Sequence, residues 1–310
     1  MIPDNRLQAL IARCTFPVAG NALSCAVSGG ADSLALLVLA TSAGCDVTAV
    51  HVDHGLRPGS DDEAHRVEQA AKRFGARFVS LRVEVGAGPN LEARAREARR
   101  SALPPGAATG HTMDDQAETV LIRLLRGTGP DGLGAMRRGE EHPLLALRRE
   151  ETEEVTRTAG LDPLDDPTNR DPGILRNRVR HELLPLCSEL VGRDVTPLLA
   201  RLASLAAEDA EFLSGEADRL DPQDASALRD APPPLSRRAL RNWLRGDGQY
   251  PPDLAAVERV LAVARGEVIG TEVAPGTRVR RTAGRLRLES PRVTSPRVTS
   301  TGGHEIGEAS

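Results

Sequence analysis

The chain holds one lysine, Lys72, among 40 basic residues. This absence excludes the common P-loop nucleotide site, which needs a lysine directly after its second glycine. Cysteine is also scarce. Cys14, Cys25, Cys45 and Cys187 form no CxxC pair, which argues against a zinc ribbon or an iron–sulfur motif and reads as free thiols in a reducing compartment. No apolar run reaches the length of a membrane span, so no membrane partner is expected. The stretch from Met1 to Cys14 lacks a basic segment followed by an apolar core and does not read as a secretory signal. Leu7, Leu10, Ile11 and Cys14 instead fall on one helical face that Asp4 can cap. A cytoplasmic protein is the expectation. The formal net charge of −4 argues against general coating of nucleic acid and leaves a local basic surface open.

What is present fits 310 residues arranged as one large domain plus a smaller one. Ala22 to Val27 reads as a short buried strand and Leu34 to Ala40 as an apolar helix. Between them lies Ser28-Gly29-Gly30-Ala31-Asp32-Ser33. Strand, glycine turn and helix in series make an anion site, because glycine lets backbone approach a ligand and the helix start offers unpaired N–H groups. Ser28 and Ser33 can donate to phosphate oxygens. Asp32 would repel phosphate, so it either holds a metal ion or caps the helix. A plain capped glycine turn is the competing reading.

Further motifs follow in order. Asp46 to Val52 reads as a second strand ending in His51 and Asp53, where parallel sheets bind ligands. Arg77 to Val85 is a third strand, and Asn90 to Ala102 a helix carrying Glu92, Arg96, Arg99 and Arg100 along one side. That stripe is either a solvated face with internal ion pairs or a phosphate or RNA contact. Ala107 to Thr109 reads as a short strand. Gly110, His111, Asp114, Asp115 and Glu118 then lead into another helix. Asp115 and Glu118, three apart, share a face that suits magnesium or an ammonium group, or else they are capping groups. The four-glycine stretch Arg126 to Gly134 reads as a flexible loop, and Glu150 to Gly160 as an acidic helix. Arg176, Asn177, Arg180 and His181 lie on a helix from Ile174 to Leu184, with Arg176 and Arg180 one turn apart as a basic patch. From about Arg193 the character changes: a long helix over Thr196 to Leu220, a loop-rich stretch, two short helices, and a β meander from Thr271 to Glu289. The tail from Ser290 repeats SPRVT and is expected to be disordered.

Taken together, SGGADS, HVDHGLR, NLEARAREAR, GHTMDDQAET, LRGTGPDGLGAM, DPTNRD and RNRVRHELLP resemble the tRNA(Ile)-lysidine synthetases of the N-type ATP pyrophosphatase, or PP-loop, family. The resemblance implies an α/β, Rossmann-like (adenine nucleotide alpha hydrolase-like) parallel sheet with helices on both faces, plus a smaller helical/α+β C-terminal domain. It implies a PP-loop catalytic domain over 1–192, a tRNA-positioning domain over 193–289, and the tail over 290–310. The implied reaction adenylates carbon 2 of the wobble cytidine of a CAU-anticodon isoleucine tRNA with ATP, and free L-lysine then displaces AMP to give lysidine. The implied ATP-binding residues are Ser28, Gly29, Gly30, Ala31, Asp32, Ser33, His51, Asp53, Gly110 and His111. Asp32, Asp115, Glu118 and Arg96 are the implied catalytic residues, with Mg2+ at Asp32, Asp114 and Asp115. Arg99, Arg176, Asn177, Arg180 and His181 are the implied tRNA contacts, and a homodimer stays open.

His142 departs from the family's usual arginine before Pro-Leu-Leu, Thr168 from a usual serine, and Arg100 from a frequent tyrosine. The rivals are another PP-loop tRNA-modifying adenylating enzyme and a non-catalytic nucleotide- or RNA-binding module. Paired cysteines, expected of a thiolase, are absent, and a mere sensor would not need four acidic residues together.

Overall fold

The computed structural model describes residues 4–53, 60–83, 91–164, 167–245 and 252–289. They form two compact units, Met1–Ala210 and Glu211–Ser310. The part of the HVDHGLR motif beyond Asp53, the first residue of DPTNRD, Asn90 and the tail from Ser290 lie outside the described residues.

In the first unit, helix α1 (Asp4–Ile11) precedes strand β1 (Ala22–Ala26), helix α2 (Ala31–Ser42) and strand β2 (Asp46–Asp53). Helix α3 (Ser60–Arg73) and strand β3 (Arg77–Arg82) complete a parallel sheet of order β1-β2-β3. Ala108 adds a single parallel bridge to Cys25 on the other side of β1, as a rudiment of the strand expected over 107–109. Ala49, Val50 and His51 are successive residues of β2 and all are buried, so both faces of the sheet are covered. Parallel strands joined by helices, with both faces covered, are the Rossmann-like arrangement the motifs imply.

Helix α2 is buried from Ser33 to Ala40 and is the centre of this core, packed with Val27, Val47, Ala49, Leu144 and Leu147. It is apolar all round because it is covered all round. The helices that follow carry the charged residues: α4 (Leu91–Ala102), α5 (Met113–Leu125), the short α6 (Pro130–Leu133) and α7 (Arg149–Thr158). The helix expected over 174–184 is broken into α8 (Leu175–Arg178), one turn of π-helix (Val179–Leu183) and α9 (Leu184–Val191). Pro185 at the start of α9 cannot donate a backbone hydrogen bond, which accounts for a break there.

Helix α10 (Thr196–Ala217) runs across the division between the units. The second unit continues with α11 (Ala225–Asp230), α12 (Pro233–Arg245), α13 (Leu254–Arg265) and an antiparallel meander β4-β5-β6 (Gly270–Ala274, Thr277–Thr282, Arg285–Glu289). Its core gathers Leu228, Leu240, Val260, Leu261, Val279 and Leu286. Helix α11 falls inside a stretch read as loop, where Asp224 caps it by accepting from the amides of Ser226 and Ala227 at 2.8 and 3.2 Å. No described helix is long and apolar enough to cross a membrane.

Candidate active site

The Ser28–Ser33 turn closes on itself. Ser33 Oγ donates to the Gly30 carbonyl at 2.9 Å and accepts from the Ser28 amide at 3.2 Å and the Ser28 hydroxyl at 3.3 Å. Gly29 has φ +88°, a left-handed conformation suited to glycine, and its carbonyl accepts from the Leu164 amide at 2.9 Å. Gly30 caps α2 without a side-chain bond, so no side chain occupies the first-turn amides from that position. Gly110 packs directly against this turn, since a Cβ there would stand 2.7 Å from the Asp32 carbonyl oxygen. The glycine turn and the GHTMDDQAET segment therefore form one site.

Two of the expected nucleotide residues are held inside the sheet. His51 is 3 % exposed and its Nδ1–H donates to the Val27 carbonyl at 2.9 Å. Asp53 is buried, with Arg82 at 3.9 Å. His111 shares the Thr109 hydroxyl with His142, at 2.7 and 2.8 Å, and the two rings meet edge to face. A single hydroxyl proton cannot serve two acceptors, so at least one of these imidazoles donates to Thr109.

The acidic residues converge as their spacing predicts. The Thr112 amide and hydroxyl both donate to Asp115 Oδ2, at 2.8 and 3.0 Å, and fix the start of α5. Glu118 lies one turn on and is fully buried. Three guanidinium groups face this pair. Arg149 reaches Asp115 at 2.9 Å and Glu118 at 3.2 Å. Arg176 reaches Asp115 at 2.9 Å and Glu118 at 2.7 Å. Arg180 reaches Glu118 at 2.6 Å and Asp115 at 3.5 Å. Burial alone would push the Asp115 carboxyl up, but Arg149 and Arg176, with His111 and the Thr112 amide, more than reverse this and hold it at about 2.

Asp32 sits differently. It accepts from the Thr152 hydroxyl and has Arg149 Nε at 3.5 Å. Burial outweighs both and pushes its carboxyl up to about 6. Asp114 accepts from Arg148 Nη2 at 3.1 Å and from the Arg149 amide at 2.8 Å. Asp32, Asp114 and Asp115, the expected magnesium residues, each lie beside an arginine. Among the described residues no group of three His, Cys, Asp or Glu is placed to hold a metal ion. Each of the three carboxylates faces arginine instead, so they do not fit a metal site built from protein alone.

The residues expected to contact tRNA are Arg99, Arg176, Asn177, Arg180 and His181. Arg176 and Arg180 are turned inward onto Asp115 and Glu118 and form no outward patch. Asn177 is buried and its amide donates to the carbonyls of Thr168 and Asp171 at 2.7 and 2.9 Å, holding that loop. His181 is exposed, 3.4 Å from the Asn169 carbonyl. Arg96 and Arg99 lie on α4, with side chains outside the described residues. The glycine-rich 126–134 stretch is fastened rather than loose, with Gln116 bonded to the carbonyl and amide of Met136 at 2.8 and 3.0 Å. Arg123 donates to Gly132 at 2.6 Å.

Sequence reasoning missed Arg149, which touches Asp32, Asp115 and Glu118 together. A signal existed: Arg149 opens α7 at the end of a helix that disfavours cations, beside two glutamates. A cavity of about 190 Å³ opens onto this cluster, lined by Asp114, Glu118, Arg149, Arg180, Ser188 and Thr196 among others. A larger one of about 320 Å³, beside Arg66, Val67 and Arg73 of α3, touches the glycine turn only at Gly29 and contains none of these carboxylates.

Comparison with known proteins agrees with this geometry. The family profile described as PP-loop domain matches residues 3–187, and the one described as TilS substrate binding domain matches residues 224–287. A tRNA(Ile)-lysidine synthase of Nocardia farcinica is 41 % identical over 281 residues, covering 84 % of this chain and 88 % of its own. Enzymes of the same name from Rhodococcus erythropolis (41 % over 271 residues, covering 81 % and 83 %) and Corynebacterium glutamicum (37 % over 277 residues, covering 84 % and 88 %) are similar. With a PP-loop domain over more than half its length and relatives this close over most of it, the chain belongs to the tRNA(Ile)-lysidine synthase family.

Proposed function

We propose that this chain is an ATP-dependent ligase that joins free L-lysine to carbon 2 of the wobble cytidine of a CAU-anticodon isoleucine tRNA, releasing AMP and pyrophosphate. The observation that carries the reading is the meeting of the two half-sites. A glycine turn with a helix start behind it and a buried acidic pair share one arginine, Arg149, within ion-pair distance of both. The turn suits the phosphates of ATP, through the first amides of α2 and the hydroxyls of Ser28 and Ser33. The acidic pair suits the ammonium of lysine, because Asp115 and Glu118 stay close together in a largely buried setting. Their low effective dielectric strengthens attraction for a cation of the right size.

The steps assigned to the residues are simple. Phosphates settle on the turn, whose shape depends on Gly29 and Gly110, because Leu164 and the Asp32 carbonyl pack where their side chains would stand. The target base, splayed from an anticodon loop, enters beside them, as single-stranded RNA bases commonly do. Lysine is oriented by the pair on α5; its ammonium gives a proton to solvent, and the free amine attacks carbon 2 of the adenylated base, forming the carbon–nitrogen bond as the bond to AMP breaks. Magnesium belongs to this reading only as an ion carried on phosphates, with Asp32 the carboxylate in the turn itself. No step depends on it. Residues 1–192 are assigned to catalysis and 193–289 to positioning of the tRNA, which the match to a substrate binding domain over 224–287 supports. The same reading assigns the enzyme to the cytoplasm.

The test is incubation of the full chain with ATP, lysine and an unmodified CAU-anticodon transcript. Lysine-dependent AMP release, together with a nucleoside heavier by a lysyl group, is expected. Nucleotide binding without turnover would point to a sensor, and AMP release indifferent to lysine would point to another adenylating enzyme.

A further inference from the structure

Asp115 and Glu118 are not waiting for a ligand. Three guanidinium groups already occupy them, so an arriving ammonium meets a fully compensated acidic pair. Among the described residues, Arg176 and Arg180 form ion pairs with this pair and no other acid. Arg149 alone also touches the glycine turn, through Asp32.

Arg149 is fixed at its base by backbone bonds and held at its tip by ion pairs alone. Its amide donates to Asp114 Oδ2 at 2.8 Å. Helix α7 is stapled to the turn by Thr152, which donates to Asp32, and by Thr156, which donates to the Ala31 carbonyl at 3.0 Å. The guanidinium at the end of this fixed backbone is shared among three carboxylates on two segments. Its position at the N-terminus of α7 opposes the helix dipole, so only those carboxylates retain it. Phosphate competes well for exactly such a group, since guanidinium and phosphate pair in a two-pronged, charge-assisted geometry. A triphosphate seated on Ser28–Ser33 offers its oxygens beside Asp32, within a side-chain rotation of where Arg149 Nε already lies.

We propose that Arg149 is a positioning residue that couples the two substrate sites: nucleotide phosphates draw its guanidinium off Asp115 and Glu118, and the lysine ammonium takes the place it leaves. The exchange is one cation for one cation, so the charge around the acidic pair is conserved. Lysine binding thereby becomes conditional on nucleotide. By linkage, lysine must tighten nucleotide binding by the same factor. The inference rests on the reading of Asp115 and Glu118 as the amine site.

The experiment measures lysine binding to the full chain by calorimetry, with and without a non-hydrolysable ATP analogue carrying magnesium. In the unaltered protein the analogue is expected to tighten lysine roughly 5- to 150-fold, the ordinary range for coupling between sites. Arg149→Gln should abolish the difference, with lysine binding equally in both conditions, while Arg149→Lys, which keeps a mobile cation, should restore part of it. A merely structural role would weaken binding without changing the ratio. Equal lysine affinity with and without the analogue in the unaltered protein overturns the proposal, whatever the variants do. So does an unchanged ratio in Arg149→Gln, or tightening by the tRNA transcript alone and not by the analogue. Glu118→Gln separates the underlying reading: if that variant binds lysine as the unaltered protein does, the amine site lies elsewhere and both fail. If it loses lysine while the nucleotide effect is absent, only the coupling fails.

Discussion

Replacing Asp115 with asparagine removes one charge from the arginine cluster while keeping an oxygen that can accept from Thr112. The size of the effect follows from acidity. Burial opposes ionisation of Asp115, yet Arg149 and Arg176 bring its carboxyl from the ordinary 3.8 to about 2. At about 1.4 kcal/mol per tenfold change, this amounts to about 2 kcal/mol of stability at neutral pH. The sign is that of a depressed acid: the contribution is complete above pH 3.8 and disappears as pH falls through 2. Urea unfolding of both proteins, followed by far-ultraviolet circular dichroism, should show a deficit of about 2 kcal/mol at pH 7 that shrinks to about half at pH 3. Fluorescence of Trp243, the single tryptophan, reports the second unit, whose own core should be unaffected. A deficit of the same size at both pH values would mean lost packing or a lost cap, not lost charge. No deficit at pH 7 would mean that the arginines repel one another as strongly as they attract Asp115.

Asp32→Asn should act in the opposite direction. Burial raises this carboxyl to about 6, so its ionisation opposes folding once pH passes the ordinary value and does so fully above 6. The variant should be more stable than the unaltered protein by about 1–3 kcal/mol at pH 7, with the gain gone below pH 4 in thermal melts, and should lose turnover. Gly110→Ala should abolish ATP binding in a protein that still folds, since its Cβ would meet the Asp32 carbonyl oxygen at 2.7 Å and displace the turn. Nucleotide titration checks this, and unchanged affinity would place the phosphates elsewhere.

The fold was legible where local pattern and burial agree. Helix α2 announces itself through its unbroken apolar run, and the strand ends through their change to polar residues. The break at Val179–Leu183 was not legible, because Arg176 before it and Arg180 inside it keep helical spacing and only Pro185 hints at an interruption. Helix α11 was hidden by its length, six residues among turn formers, too short to show a period. In the site, Asp115 and Glu118 could be paired from their spacing alone. Their arginine partners could not, since ion pairs between residues 34 and 61 positions apart leave no mark on local sequence.

Charge of both signs meets at this site. Acidic residues near a phosphate turn invite a metal, and arginines near an RNA enzyme invite a backbone contact. Each inference treats one sign of charge in isolation. In the folded chain the two sets neutralise each other, unevenly. Asp115 has three guanidinium groups within 3.5 Å and stays ionised at any ordinary pH. Asp32 has one, at 3.5 Å, and gains a proton under mild acid. Two aspartates with similar motif credentials are thus driven in opposite directions by how many arginines the fold turns toward each. On the proposed function that distribution would give them different tasks: Asp115 a fixed negative charge suited to a cation, and Asp32 a carboxylate that an approaching triphosphate would meet at reduced charge as the pH falls toward 6.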